Sequence, residues 1–223
     1  MQITRTIGLA AVVIASLAAT DAQAVLVGTP GQAGQSVGFP FGANPGGRYQ
    51  QVYDSSLFTT GAVSVTGLSF YSASAPATLA SGPFTLSLST TSRGVDQLAS
   101  PFDSNVGSNS ATVFSGALPA LSGGQFTFNL ATPFTYQPTA GNLLLDVQSA
   151  PSTTPSAFFS TDSNVASSRL FSTGGALTPD PRALVTNIVT VPAGGTAVPE
   201  PASLALLGAG LLGLAGLRRR VAG

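Results

Sequence analysis

The sequence predicts an all-β chain: an antiparallel β-sandwich of jelly-roll type, with an N-terminal signal peptide and a C-terminal single transmembrane helix. Three observations carry that expectation. Short runs alternate apolar and polar residues with period two, as strands with one buried face do. Glycine and proline, 26 and 16 of 223 residues, punctuate the runs at turn-like spacing. No helical periodicity persists over a dozen residues between Val25 and Val191. Only 7% of residues are charged, yet hydrophobic content is 43% and Phe occurs thirteen times. A disordered chain is poor in such residues, so the low charge points to a many-turned β domain.

The elements follow in order. Met1 to Ala24 reads as a secretory signal peptide, with Arg5 as the positive end and Ile7 to Ala19 as the apolar stretch. Ala22-Gln23-Ala24 is the signal peptidase site, which sets Val25 as the mature N-terminus. The exported domain then spans residues 25–197. Val25 to Gly47 enters as an irregular segment or a first edge strand. Tyr49 to Phe58 is a short strand running into a turn. In Ala62 to Ser72, Val63 and Val65 alternate, then Leu68 and Phe70, and Gly67 marks a phase slip that suggests a β-bulge. Phe84, Leu86 and Leu88 alternate with Thr85, Ser87 and Ser89, giving a core face and a hydroxyl face toward solvent. Thr90 to Asn109 reads as a long polar connection, and Ala111 to Ser115 as a short strand. Gln125 to Leu130 is the clearest alternation, and Pro133 is expected to end it. Asn142 to Gln148 places Leu143, Leu145 and Val147 on one face and Leu144 and Asp146 on the other. Ala157 to Ser160 and Leu170 to Phe171 are shorter candidates, and Ala183 to Val191 is the last strand. Pro179-Asp180-Pro181 reads as a turn.

The composition narrows the chemistry. Cys, His and Lys are absent, so thiolate, Schiff-base and Ser-His-Asp chemistry have no residues to use, and no cofactor is expected. Formal net charge is zero, which gives no reason to expect nucleic acid. Six Asp residues remain in the body: Asp54, Asp96, Asp103, Asp146, Asp162 and Asp180. Two of them could serve as a glycosidase pair, although nothing marks any two as partners. Asp103-Ser104-Asn105-Val106 recurs as Asp162-Ser163-Asn164-Val165. The repeat suggests either oxygen ligands for calcium or ordinary turn chemistry. Tyr49, Tyr53, Tyr71 and Tyr136 are the only aromatic residues with a polar tip that could form a glycan platform, and core-border Tyr does the same structural job. No residue is singled out as catalytic or metal-binding.

The tail, residues 198–223, has three parts. Val198-Pro199-Glu200-Pro201 is held extended by its prolines. Ala202 to Leu217 is uncharged and, as a helix rising about 1.5 Å per residue, spans about 24 Å, slightly short of a hydrocarbon core. Arg218, Arg219 and Arg220 then act as a cytoplasmic stop-transfer block under the positive-inside rule.

That three-part order resembles the C-terminal sorting signal of PEP-CTERM proteins. The resemblance implies export across the inner membrane of a Gram-negative bacterium that makes exopolysaccharide. It also implies an exosortase-type membrane protease that recognises Pro199, Glu200 and Pro201 and removes the helix. The implied location is a transient inner-membrane anchor with a cytoplasmic C-terminus, followed by the cell surface or extracellular matrix. The body, in Leu88-Ser89-Thr90-Thr91-Ser92 and Gly141-Asn142-Leu143-Leu144-Leu145-Asp146-Val147, is similar to domains found ahead of this tail. They bring no established activity with them. The expected partners are therefore signal peptidase, the exosortase-type protease, the inner membrane and exopolysaccharide. The expected function is a non-enzymatic structural or adhesive role in exopolysaccharide or biofilm. A glycan-binding surface module and an Asp-based glycoside hydrolase remain as alternatives.

Overall fold

The computed structural model describes residues 22–31, 35–42, 47–73, 78–150, 156–163, 166–173 and 176–193. These belong to one compact unit, Asp21–Gly195. Its strands are β1 (Gln23–Val27), β2 (Ser36–Val37), β3 (Gly47–Tyr53), β4 (Val63–Tyr71), β5 (Phe84–Thr91), β6 (Ala111–Gly116), β7 (Gln125–Tyr136), β8 (Asn142–Ser149), β9 (Phe159–Asp162), β10 (Ser167–Thr173), β11 (Ala176–Asp180), β12 (Ala183–Leu184) and β13 (Thr186–Pro192). Helical structure among the described residues is confined to single 3-10 turns at Ser55–Leu57, Phe102–Asn105 and Pro138–Ala140.

All strand pairings are antiparallel. One sheet runs β1-β13-β4-β7, a second β11-β10-β3-β8-β5-β6, and a small third β12-β9-β2. The pairing is nested. β5 pairs β6, β4 pairs β7, β3 pairs β8 and β1 pairs β13, so the chain folds like a ribbon doubled back and rolled up. The β9–β12 segment is an excursion inserted before the last strand, and its β10 and β11 extend the second sheet beyond β3.

The predicted alternation builds the core. Val63, Val65, Leu68 and Phe70 from β4 and Phe126, Phe128 and Leu130 from β7 share one cluster with Phe84, Leu86 and Leu88 from β5 and Leu143, Leu145 and Val147 from β8. Phe41 lies at its centre, 4.8 Å from the Phe70 ring and 5.2 Å from Phe126. The phase slip at Gly67 is real: β13 pairs Val189 with Gly67 but Thr190 with Val65, leaving Thr66 as the extra residue.

Several expectations change. Pro133 does not end β7, which continues to Tyr136; β7 is an edge strand, where the missing N–H breaks no ladder. Pro179-Asp180 belongs to β11, another edge strand, rather than to a turn. The last strand divides at Val185, whose N–H turns away to the Ser160 carbonyl. Ser89 is buried rather than solvent-facing. The Thr90 to Asn109 connection is more than a polar loop. It lays Leu98, Phe102 and Val106 on Val52, Leu144 and Leu170, giving the second sheet a separate core on its outer face.

Candidate functional site

The outer face of the six-stranded sheet holds the densest polar chemistry described. Arg48 is in β3, on the face opposite Tyr49. Its Nε donates to both Asp146 oxygens at 3.0 and 3.1 Å, and its Nη2 donates to Oδ2 at 2.6 Å. Its Nη1 donates to Asp103 Oδ1, also at 2.6 Å. These contacts, the Asp146 bond foremost, push the guanidinium above its ordinary value. The same guanidinium lies 5.3 Å over the Phe102 ring. Gln50 Nε2 donates to Asp146 Oδ2 and to the Phe102 carbonyl, while Asn105 Nδ2 donates to Gln50 Oε1. The 3-10 turn is thereby fastened to the sheet by one cation, two amides and two carboxylates. Beside it opens a groove of about 530 Å³, lined by residues that include Arg48, Thr85, Phe102, Gln148 and Ser172.

Two of the six Asp residues are thus brought together, Asp103 and Asp146, and Arg48 occupies the space between them. Each carboxylate is engaged by the same guanidinium, an arrangement that fastens the loop to the sheet. Asp180 makes a second cluster. It accepts from Arg169 Nη2 at 2.6 Å and from Arg182 Nη2 at 3.0 Å, with the Arg169 and Asp180 side chains 2% and 9% exposed. Burial pushes the Asp180 carboxyl up, but the bonds from Arg182 and Arg169 overcome this and hold it at about 2. Asp54 caps the Ser55–Leu57 turn through Ser56 N–H, and Asp162 accepts from Thr29 N–H. Asp96 N–H donates to Ser168 Oγ.

The two Asp-Ser-Asn copies do different jobs. Asp103 is ion-paired and Asn105 is buried under the loop, whereas Asp162 ends β9 and Asn164 and Val165 lie outside the described residues. Among the described residues no group of three or more acidic side chains gathers as a metal would need. The tyrosine platform is also corrected. Tyr49, Tyr53 and Tyr136 are fully buried, and burial pushes their hydroxyls above the ordinary range. Tyr53 donates to Thr186 Oγ1 and Tyr136 to the Gly141 carbonyl, so both work within the core. Tyr71 alone of the four keeps a half-exposed side chain.

Sequence reasoning missed Gln50 and Gln51, each buried at the centre of β3. Gln51 Oε1 accepts from Leu184 N–H and from the Tyr49 hydroxyl, and its Nε2 donates to the Leu184 carbonyl and Thr186 Oγ1. Two adjacent amides inside the run Tyr49-Gln50-Gln51-Val52-Tyr53 were the available signal. They imply a strand covered on both faces.

The residues expected at the signal peptidase site lie at the start of this unit. Ala22, Gln23 and Ala24 are described, and Gln23 and Ala24 already belong to β1, opposite Thr190 and Val189. The expected signal peptidase cut after Ala24 would trim β1 to Val25–Val27. Because β1 and β13 are antiparallel neighbours, the chain enters and leaves the domain at the same end of one sheet. The Ala193 N–H, bonded to the Ala62 carbonyl, secures the exit. Pro199, Glu200 and Pro201, the 202–217 helix, Arg218, Arg219 and Arg220 all lie outside the described residues, as does most of the signal peptide. No helix among the described residues is long and apolar enough to cross a membrane.

The model of the PEP-CTERM protein-sorting motif matches residues 197–220. No curated protein matches the chain. The motif supports a sorted, exported protein handled by an exosortase-type system, and it covers the Pro-Glu-Pro segment and the arginine block together.

Proposed function

We propose that this chain, carrying a PEP-CTERM sorting motif, is a non-enzymatic structural or adhesive component of the cell surface or exopolysaccharide matrix. The matched motif at 197–220 is the observation that carries this reading. In it, the 202–217 segment is a transient inner-membrane helix, Arg218 to Arg220 remain cytoplasmic, and the domain lies outside. The nested strand pairing supports a jelly-roll-type sandwich as the exported cargo. Only residues 193–197 separate the last strand from Val198, so a protease at the Pro-Glu-Pro segment works close to the folded domain.

A non-catalytic role is favoured by how the carboxylates are used. Asp103, Asp146 and Asp180 each serve an arginine, and Asp54 serves a turn. The deciding experiment is intact mass measurement of the protein recovered from the surface and medium of the host. The expected product begins at Val25 and ends at or near Pro201. A secreted form that retains Arg218 to Arg220 would sink the processing step.

A further inference from the structure

We propose that the groove on the outer face of the six-stranded sheet binds a neutral polysaccharide chain laid across the strands. The strand register places Arg48, Gln148 and Thr85 of the lining in a row that Ser115 continues beyond the groove. Arg48 in β3 is opposite Gln148 in β8, Gln148 is opposite Thr85 in β5, and Thr85 is opposite Ser115 in β6. Directly opposed residues share a face, and the neighbouring row of Tyr49, Val147 and Leu86 is buried in the core. Gln148 and Ser115 are exposed and Thr85 half-exposed, so the row presents amide and hydroxyl groups to solvent. Ser87 and Thr112, the next outward-facing pair across a register shift, bond to each other through their hydroxyls and extend the same polar surface.

The geometry and chemistry of the row select the ligand class. Neighbouring strands are spaced by about 4.8 Å, so four strands offer a polar contact at intervals close to the length of one pyranose unit. An anion is disfavoured. Every Arg48 nitrogen already donates to a carboxylate, and Arg48 is the one charged residue among those lining the groove, so no unengaged cation faces a ligand there. An apolar ligand would strand the amide and hydroxyls without partners. Phe102, half-exposed and braced by Arg48, supplies one apolar wall against which the C–H face of a sugar packs. A neutral polyhydroxylated chain satisfies all of these conditions. The site does not depend on whether the tail is cut, so its failure and a failure of processing are read in separate experiments.

The test is calorimetric titration of the full chain, purified in mild detergent, with neutral tetrasaccharides (cellotetraose and maltotetraose) and with a tetrameric uronate. At least one neutral tetrasaccharide is expected to bind with a Kd near or below about 1 mM. Gln148→Ala, an exposed change that leaves the core intact, is expected to weaken that binding about tenfold, and Phe102→Ala at least as much. The uronate is expected to bind more weakly than its neutral counterparts. Absence of binding by both neutral sugars at about ten times that concentration overturns the proposal. So does binding unchanged by Gln148→Ala, or tighter binding of the uronate.

Discussion

Asp180→Asn is expected to destabilise the domain severely, because it leaves a buried arginine without its counter-charge. Arg169 is 3% exposed, and its Nη2 is 2.6 Å from Asp180 Oδ2. Its Nε has no hydrogen-bond partner, the Phe171 ring lies 5.0 Å from the guanidinium carbon, and the Tyr49 hydroxyl beside it is neutral and does not replace the carboxylate. Removing one member of such a pair costs about 3–5 kcal/mol, most of it the desolvation of the stranded cation. For a domain of this size that lowers the Tm by about 10 °C. Arg182, at 45% exposed, reaches water and adds little to the loss. The acid dependence follows from the same pair. The folded Asp180 carboxyl is depressed from the ordinary 3.8 to about 2, so its contribution is complete above the unfolded value and disappears as pH falls through the folded one. That shift corresponds to about 2 kcal/mol, lost between roughly pH 4 and pH 2. Urea denaturation followed by far-UV circular dichroism at pH 7 and through this acid range measures both effects. Pairing Arg169→Met with Asp180→Leu is expected to recover most of the stability, because no charge then remains buried. A loss below about 1 kcal/mol for Asp180→Asn, or a double variant no better than the single one, would refute this account.

Gln51→Leu keeps the volume but leaves the Leu184 N–H without its acceptor and takes the Gln51 acceptor from the Tyr49 hydroxyl, while the Leu184 carbonyl keeps the Thr186 hydroxyl; the cost is about 2 kcal/mol in the same urea assay. Gly107→Ala would put its Cβ 1.7 Å from the Thr90 carbonyl oxygen, so the loop must lift from β5; about 3 kcal/mol is expected, with faster proteolysis within residues 92–110. Asn105→Ala frees the Gln50 amide oxygen and the Ala99 backbone while leaving the principal core untouched. Amide exchange should quicken in residues 98–106 and stay unchanged in β4 and β7. Glu200→Ala, beyond residues 21–195 in sequence, should leave domain stability unchanged and cause the unprocessed precursor to accumulate on mass analysis.

The sequence by itself determined the inward faces of β4, β5, β7 and β8. Phe84, Leu86 and Leu88, or Phe126, Phe128 and Leu130, announce a buried face because side-chain alternation belongs to a single strand. It also carried the sorting signal, whose prolines, apolar run and arginines are read in linear order. Only the tertiary structure decided what lies beside each strand and what covers its second face. Pro133 and Pro179 are compatible with strands because β7 and β11 are edges, and being an edge is a property of sheet order. Gln50, Asp146 and Asn105 became one network because residues 92–110 fold back over β3 and β8, partners far apart in the chain. The tyrosines went into the core, and the row of Gln148, Thr85 and Ser115 formed, for the same reason. Local periodicity fixes orientation within a strand, whereas register and covering come from contacts that no local pattern encodes.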